Sequence, residues 1–360
     1  MTDSYARAGV DIAAGERAVD LIRGLARSTF GPRVLTDLGA FSGLFSVDGF
    51  DQPVLVASAD GVGTKLKVAI QARRHTTVGR DLVAHCVNDI LTSGASPLFF
   101  LDYVAMGKLE PETVAQVVEG LAAECRAQGC ALLGGETAEM PGMYADGDYD
   151  LAGFIVGIVR RDRIVDGREV RVGDAVWGLP SSGLHTNGYS LARTALADVP
   201  LDSIPPGLDR PLVDALLEPH RSYSSDMRPA LDAGVVRAMA HITGGGITGN
   251  IPRALPDGLA AELDWGAWPV PPLFHLIQQR ADVPADEMVR VFNMGLGWVF
   301  VSSPSVAKDV LRLVPGVLAV GRIIERGGGP GVAIRGLSLP TSREPSPSPP
   351  AGGAPLSPSP

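Results

Sequence analysis

Apolar residues in the first half of the chain fall into short β-branched or aromatic runs that end near glycines. Such runs are typical of buried strands. Four of them predict strands, at 54–60, 98–106, 130–135 and 151–159. Between the second and third runs, positions 111–129 repeat apolar residues at helical spacing, from Pro111 at the first turn to a stop at Gly129. This segment predicts an amphipathic helix whose role is packing.

A second helix is predicted over 78–93, and its two faces differ. One face is apolar, and the other carries four polar side chains: Asp81, His85, Asn88 and Asp89. A solvated polar face is one interpretation. The alternative is a ligand site, because Asp60 and Glu136 each directly follow an apolar strand, where open α/β sheets gather ligand groups.

The charged, glycine-punctuated stretch at 162–174 predicts a domain boundary, after which strands and helices start again. Strand and helix intermix without a regular βαβ alternation, so we predict α+β or mixed α/β structure in both domains. The expected units are an N-terminal domain over 1–168, a C-terminal α+β domain over 169–338 and a tail over 339–360. The tail is rich in proline and serine and is expected to be disordered.

Composition narrows the class of partner. The 360 residues suit two domains, and 31 Lys and Arg against 40 Asp and Glu give a net charge of −9, which argues against a nucleic-acid surface. No apolar run approaches the roughly 18 residues of a membrane-spanning helix, and the first residues do not resemble a secretory signal. The three cysteines form no disulfide framework or zinc motif. We therefore expect a cytoplasmic protein that acts on small molecules.

The segment DGVGTKLK, residues 60–67, has the composition of a phosphate-binding loop. Gly61 and Gly63 let backbone amides turn toward an anion, Thr64 offers a hydroxyl and Lys65 a positive charge. Asp60 could hold a magnesium ion. The P-loop pattern GxxxxGK[ST] does not occur in the chain, so a nucleotide would be bound by another architecture. A tight turn from strand to helix is the alternative interpretation.

The segment GGETAEM, residues 134–140, follows its strand with two glycines and two acidic residues. We expect Glu136 and Glu139 on one face of a turn. Taken singly, each acidic residue is typical of a surface charge. Together, Asp60, Asp89 and Glu136 predict a magnesium site for a nucleotide.

The segment SSGLHTNGYS, residues 181–190, places His185 at a junction of strand and helix, where backbone N–H groups favour a phosphate. His185 could act as a general acid or base or as a phosphate ligand. A histidine bonded within its own turn is the alternative. The other five histidines show no metal-ligand spacing, and we assign no chemistry to His75, His85, His220, His241 and His275.

Gly244, Gly246 and Gly249 match GxGxxG, which raises the alternative of an NAD-dependent oxidoreductase. A dinucleotide-binding helix should continue for three turns or more after the last glycine. Pro252 and Pro256 confine any helix here to a turn or two, so the context does not support that alternative.

Taken in order and spacing, the motifs over about residues 4–335 resemble the phosphoribosylformylglycinamidine cyclo-ligase family, also called aminoimidazole ribonucleotide synthetases. Six segments carry the resemblance: DGVGTKLK, DLVAHCVNDILTSGASPLFFLDY, GGETAEMPGMY, SSGLHTNGYSL, TGGGITGNIPR and FNMGLGW. DGVGT also occurs in related ATP-using enzymes such as thiamine-monophosphate kinase, selenophosphate synthetase and formylglycinamidine ribonucleotide synthetase. Those enzymes, and a non-enzymatic binding module on the same fold, are the alternatives.

The resemblance implies that formylglycinamidine ribonucleotide and ATP give aminoimidazole ribonucleotide, ADP and phosphate, with Mg²⁺ as cofactor. It implies ATP binding by ten residues: Asp60, Gly61, Val62, Gly63, Thr64, Lys65, Asp89, Gly135, Glu136 and Thr137. It implies substrate contacts by Ser182, Gly183, His185 and Asn187, and metal ligation by Asp60, Asp89 and Glu136. Lys65 and His185 are the expected catalytic residues. It also implies a homodimer in which the N-terminal sheets of two subunits pair to form a barrel.

Overall fold

The computed structural model describes residues 12–37 and 42–337, and the first four strands form one mixed sheet. The strands are β1 (Pro53–Gly61), β2 (Ser96–Met106), β3 (Ala131–Glu139) and β4 (Tyr149–Arg160). Their order across the sheet is β1-β4-β2-β3. Only β2 and β3 run parallel, and the other neighbours are antiparallel. The four strands predicted from the apolar runs are confirmed.

Four helices belong to the same part of the chain. They are α1 (Ile12–Arg27), α2 (Lys65–Ala72), α3 (Thr76–Leu91) and α4 (Pro111–Ala127). Helix α3 packs on β1, β2 and β4, and α4 and α1 pack on β3. The helices α3 and α4 touch backbone to backbone, since a Cβ atom added at Gly79 would lie 2.1 Å from the carbonyl oxygen of Val117. The same addition at Gly120 would lie 1.9 Å from that of Thr76. Glycine at these two positions is what lets the helices approach so closely.

The opposite face of the N-terminal sheet carries apolar side chains that are partly open to solvent. Leu55 on β1 is 60% exposed and Phe154 on β4 is 46% exposed. Ala59 pairs with Phe154, which in turn pairs with Leu101 on β2, so these three positions share one face. Within the described residues, this sheet is therefore covered by helices on one side only.

The remaining strands form a second mixed sheet. They are β5 (Ala175–Pro180), β6 (Ala238–His241), β7 (Leu259–Asp264), β8 (Leu296–Ser302), β9 (Leu318–Glu325) and β10 (Val332–Arg335), in the order β10-β7-β9-β5-β8-β6. Only β7 and β10 pair in parallel. Strand β8, which lies between β5 and the edge strand β6, is buried along its whole length.

Short helices surround the second sheet. They are α5 (Tyr189–Ala195), α6 (Leu212–Leu216), α7 (Ser224–Asp232), α8 (Gly246–Asn250), α9 (Pro272–Ala281), α10 (Ala285–Val291) and α11 (Ala307–Leu313). Three 3-10 turns lie at 161–163, 251–254 and 304–306. The mixed α/β prediction is confirmed for both sheets. The helix after the GxGxxG match has only five residues, as the two prolines predicted.

Two predictions about the ends and boundaries stay predictions. The tail over 339–360 lies outside the described residues. The proposed boundary at 168 falls in the connector between β4 and β5, which joins the two sheets. In the ranges that the structure covers, no helix combines the length and the apolar character needed to cross a membrane.

The polar face of α3 is not solvated, which corrects one of the two interpretations above. Asp81, His85 and Asn88 are all buried. The side chain of Asn88 accepts a hydrogen bond from the backbone N–H of Tyr223 (2.9 Å) and donates one to the carbonyl oxygen of Arg221 (2.8 Å). This polar face is therefore the seam between the two domains.

Candidate active site at the domain interface

Asp60 lies at the end of β1 and is held by two donors. Its Oδ1 accepts a hydrogen bond from the backbone N–H of Gly61 (2.7 Å), and its Oδ2 lies 2.8 Å from Nε2 of His85. Burial raises the pKa of the Asp60 carboxyl, but the hydrogen bond and charge of His85 outweigh that effect and hold the pKa below its ordinary value. Asp60 is thus ionised at neutral pH and 42% exposed.

Asp89 lies near the end of α3 and is held in the same manner. Its Oδ2 accepts a hydrogen bond from Ser58 Oγ (3.0 Å), and its Oδ1 lies 2.9 Å from Nδ1 of His241. Burial again opposes ionisation, and the hydrogen bond from His241 again outweighs it, so the pKa of Asp89 is lowered. The charge of Asp89 raises the pKa of Asp60, although less than His85 lowers it. His85, which contacts Asp60, has a ring nitrogen within 4.8 Å of a carboxylate oxygen of Asp89.

A chain of hydrogen bonds connects the two carboxylates through the domain interface. His85 Nδ1 lies 2.8 Å from Thr186 Oγ1, which lies 3.5 Å from His220 Nδ1. His220 Nε2 then lies 3.0 Å from Nε2 of His241. The sequence analysis assigned no chemistry to these three histidines. No local pattern could have joined them, because they come from one helix, one loop and one strand.

The number of hydrogens needed along this series of hydrogen bonds shows that one imidazole is cationic. Five contacts lead from Asp60 to Asp89, and each needs one hydrogen because ionised carboxylates only accept. Three neutral imidazoles and one hydroxyl supply four. A fifth hydrogen requires one imidazole to be cationic. Burial lowers the pKa of His85, but the hydrogen bond and charge of Asp60 outweigh it and raise the pKa, whereas burial lowers the pKa values of His220 and His241. The extra proton therefore belongs on His85.

His185 lies inside this cluster and not at an open surface. It is only 1% exposed, and its ring stacks on His220 with centroids 3.9 Å apart. Its Nε2 accepts a hydrogen bond from the backbone N–H of Ser182 (3.2 Å), and burial holds its pKa well below the ordinary value. The alternative of a histidine bonded within its own turn describes this arrangement, and the structure does not present His185 to a substrate.

The environment of Lys65 also differs from the one predicted for a phosphate ligand. Its ammonium is fully buried, 2.7 Å from Asp81 Oδ2, and donates a hydrogen bond to the carbonyl oxygen of Glu218 (2.8 Å). It points from the start of α2 into the interface and away from the exposed side of the loop. The positive charge of Lys65 is therefore used to join the domains.

The exposed side of the DGVGT loop consists of Gly63 and Thr64, while Val62 is buried beneath it. Gly63 has a φ of 65°, a conformation that favours glycine. Thr64 Oγ1 lies 3.2 Å from Ser190 Oγ at the start of α5. The loop thus offers backbone amides and a hydroxyl to an anion, beside the carboxylate of Asp60.

Within one chain, Glu136 lies far from Asp60, on the opposite edge of the N-terminal sheet. The turn expected at 134–140 is strand β3 up to Glu139, so Glu136 and Glu139, three positions apart, point to opposite faces. Asp60 and Gly135 lie in one row of the sheet at its two edges, separated by β4 and β2. Three strand spacings put them about 14 Å apart. Gly135 and Thr137 share this distant edge.

Most polar groups of the predicted substrate loop, residues 182–187, form hydrogen bonds to other groups of the protein. Ser182 Oγ donates a hydrogen bond to the carbonyl oxygen of Pro219 (2.6 Å). The carbonyl oxygen of Gly183 accepts one from the side chain of Asn293 (2.9 Å). The side chain of Asn187 is half-buried and donates to Thr186 Oγ1 (3.4 Å). These contacts fix the loop within the C-terminal domain.

Family models match both sheets. The model described as "AIR synthase related protein, N-terminal domain" matches residues 46–159, and the model for the C-terminal domain of the same family matches residues 171–332. A phosphoribosylformylglycinamidine cyclo-ligase from Myxococcus xanthus is 54% identical over 93% of this chain and 99% of its own length. The chain belongs to this family. A cyclo-ligase from Anaeromyxobacter dehalogenans is 59% identical over 84% of this chain and 89% of its own length.

A solved structure in the family's wider fold is also similar. Hydrogenase maturation protein HypE in complex with ATP superposes with a TM-score of 0.64, covering 89% of this chain and 90% of its own. Its identity of 15% makes this a likeness of fold alone. The identity to the two cyclo-ligases and the match of both family models confirm the resemblance stated from the motifs.

Proposed function

We propose that this chain closes the imidazole ring of aminoimidazole ribonucleotide from formylglycinamidine ribonucleotide, with ATP converted to ADP and phosphate. The observation that carries the proposal is the identity to cyclo-ligases over nearly the whole chain. The paired carboxylates beside a glycine-rich loop supply a site of suitable chemistry.

The reaction needs ATP because the oxygen of an amide is a poor leaving group. Transfer of the γ-phosphoryl group from ATP to the formyl oxygen releases ADP and, with loss of the amide N–H proton, gives an iminophosphate. The amidine nitrogen then attacks the formyl carbon, a C–N bond forms, and the C–O bond breaks with release of phosphate. The attacking nitrogen loses one proton. The protein contributes positioning and neutralisation of charge.

Asp60 and Asp89 are the residues that would hold Mg²⁺, since both are ionised and partly exposed and both lie beside His85. Magnesium, when bound, neutralises phosphate charge. The amide of Gly63 and the hydroxyl of Thr64 would contact the phosphates of ATP, whereas the amide of Gly61 is already bonded to Asp60. His85 and His241 orient the two carboxylates through direct contacts. In this account, Lys65 and His185 support the site from the interior.

We propose a homodimer formed through the open face of the N-terminal sheet. Exposed Leu55 and Phe154 favour this face, because a second copy would bury them. Gly135, Glu136 and Thr137 are too far from Asp60 to join its site. They would complete an ATP site only across such an interface. The cytoplasmic location expected from the sequence stays a prediction.

The test is to incubate the protein with formylglycinamidine ribonucleotide, ATP and Mg²⁺ and to measure ADP and the aminoimidazole product together. Equal amounts of both are expected. ADP without the imidazole would contradict the proposal and favour the kinase-like alternatives. Absence of both would favour a binding module.

A further inference from the structure

A cavity of about 350 Å³ lies between the two domains, beside the proposed metal site. It reaches Asp89, Ser58 and His241 but not Asp60 or His85. Its volume is at the lower end of the range for small-molecule sites, about 300–1,000 Å³. A molecule the size of a mononucleotide fits that volume.

The wall formed by the connector is fixed by backbone contacts to both domains. The N–H of Val165 donates to the carbonyl oxygen of Ser93 (3.2 Å), and the N–H of Gly167 donates to that of Arg237 (3.2 Å). A Cβ atom at Gly167 would lie 2.3 Å from the carbonyl oxygen of Ala254, so the connector packs directly on the 3-10 turn after α8. The cavity is therefore a built part of the interface.

Arg253 contributes a positive charge to the lining of the cavity. Arg253 lines it and donates a hydrogen bond from Nη1 to Asn250 Oδ1 (3.2 Å). The side chain of Asn250 is itself fixed, because its Nδ2 donates to the carbonyl oxygens of Thr243, Gly244 and Gly246. In the part of the chain that the structure covers, no carboxylate pairs with Arg253. An oriented guanidinium without a counter-ion suits a phosphate monoester.

The lining of the cavity also includes residues of the proposed reaction centre. Asp89 and His241 line the cavity while Asp89 also belongs to the proposed magnesium site. A phosphoryl acceptor has to lie next to the γ-phosphate for in-line transfer. A ligand in this cavity meets that requirement at Asp89. The loop from Ser182 to Asn187 meets it less well, because His185 is buried and the Ser182 hydroxyl is already bonded.

We infer that this interdomain cavity binds the ribonucleotide substrate, with Arg253 on its phosphate monoester and its formyl group toward Asp89 and His241. The inference rests on the proposed function for the identity of the substrate. It replaces the Ser182–Asn187 loop as the main substrate-binding site and adds Arg253 as a binding residue.

Titration calorimetry with formylglycinamidine ribonucleotide tests the inference, together with steady-state kinetics. Arg253→Gln should raise both the Kd and the KM of the ribonucleotide by about 10- to 100-fold, as expected for loss of charge-assisted hydrogen bonds. The KM of ATP and the kcat should stay within about twofold, because the lost contact is equally strong before and during the reaction. The Kd and KM of the ribonucleotide in Arg253→Lys should lie between those of the wild type and those of Arg253→Gln. Arg326→Gln, at an exposed arginine after β9, is the matched control and should change neither constant.

The outcomes separate this inference from the proposed function. If Arg253→Gln weakens binding of the ribonucleotide but no variant forms the imidazole product, the cavity is a ribonucleotide site and the proposed cyclo-ligase function is wrong. If Arg253→Gln keeps full turnover with an unchanged Kd and KM for the ribonucleotide, the cavity is not the substrate site, and the proposed function still holds. A protein that neither binds the ribonucleotide nor forms product overturns both. An equal rise in the KM of ATP and of the ribonucleotide also contradicts the cavity. Equal melting temperatures of the variants ensure that folding is not the cause.

Discussion

The ammonium of Lys65 lies 2.7 Å from Asp81 Oδ2, and neither side chain is exposed to solvent. The pair joins α2 to α3, and Lys65 also bonds the carbonyl oxygen of Glu218 in the C-terminal domain. A lysine that the sequence places in a phosphate loop thus serves as a cross-link between domains.

Replacing Lys65 by alanine should destabilise the fold. Removal of one partner leaves the Asp81 carboxylate buried and unpaired, at a cost of about 3–5 kcal/mol in the free energy of unfolding. Urea denaturation measures this loss. Lys65→Met combined with Asp81→Asn should recover a large part of it, because no buried charge remains. Lys67→Ala, which breaks a surface pair with Asp148, is the control and should cost about 1 kcal/mol or less. Equal stability of the two single variants would contradict the structural role.

Replacing either paired carboxylate should abolish turnover without unfolding the protein. Asp60→Asn and Asp89→Asn keep the size of the side chain and remove a negative charge needed for the metal. Each should lower kcat by at least about 100-fold. Asp162→Asn, at an exposed aspartate paired with Arg160, should leave kcat unchanged. Turnover that survives both active-site substitutions would place the metal elsewhere.

The close contact of α3 and α4 predicts an unusual response to alanine. Gly79→Ala gains helix propensity of about 1 kcal/mol, but the new Cβ atom meets the carbonyl oxygen of Val117 at 2.1 Å. We expect a net loss of about 2 kcal/mol or more, since backbone must move. Gly24→Ala in α1 has open space and should stabilise slightly. Thermal melting compares the two, and a stabilised Gly79→Ala would contradict the packing.

The proposed homodimer predicts that a charge on the open sheet face separates the subunits. Leu55→Asp should change the sedimentation coefficient from that of a dimer to that of a monomer. Leu311→Asp, at a leucine on α11 with similar exposure (58% against 60%), should remain dimeric. A wild-type monomer, or a Leu55→Asp dimer, would exclude this face.

Local sequence patterns predicted most strands and the mixed fold, because each run carries its own signal of apolar spacing and turn residues. They failed where contacts are distant in sequence. The polar face of α3 looks solvated until residues 180–223 cover it, and the cluster of His85, His220 and His241 has no local signature. The pattern GGETAE suggested a turn, but pairing with β2 extends β3 to Glu139.

The site was predicted in part for the same reason. Asp60 and Asp89 both lie at the histidine cluster of the domain interface, each in contact with one imidazole. Glu136 does not join them within one chain, because strand order cannot be read from the sequence. The direction of a side chain cannot be read from the sequence either. Lys65 was expected to face a phosphate, but its ammonium points into the domain interface.

The fate of the formyl oxygen tests the central claim most directly. The product imidazole carries no oxygen at the ring carbon derived from the formyl group, so this atom has to leave. We would label it with ¹⁸O and analyse the inorganic phosphate and the water after turnover by mass spectrometry. The account predicts one ¹⁸O atom in each phosphate released. Label in water, with unlabelled phosphate, would contradict phosphorylation of the formyl oxygen and with it the proposed mechanism.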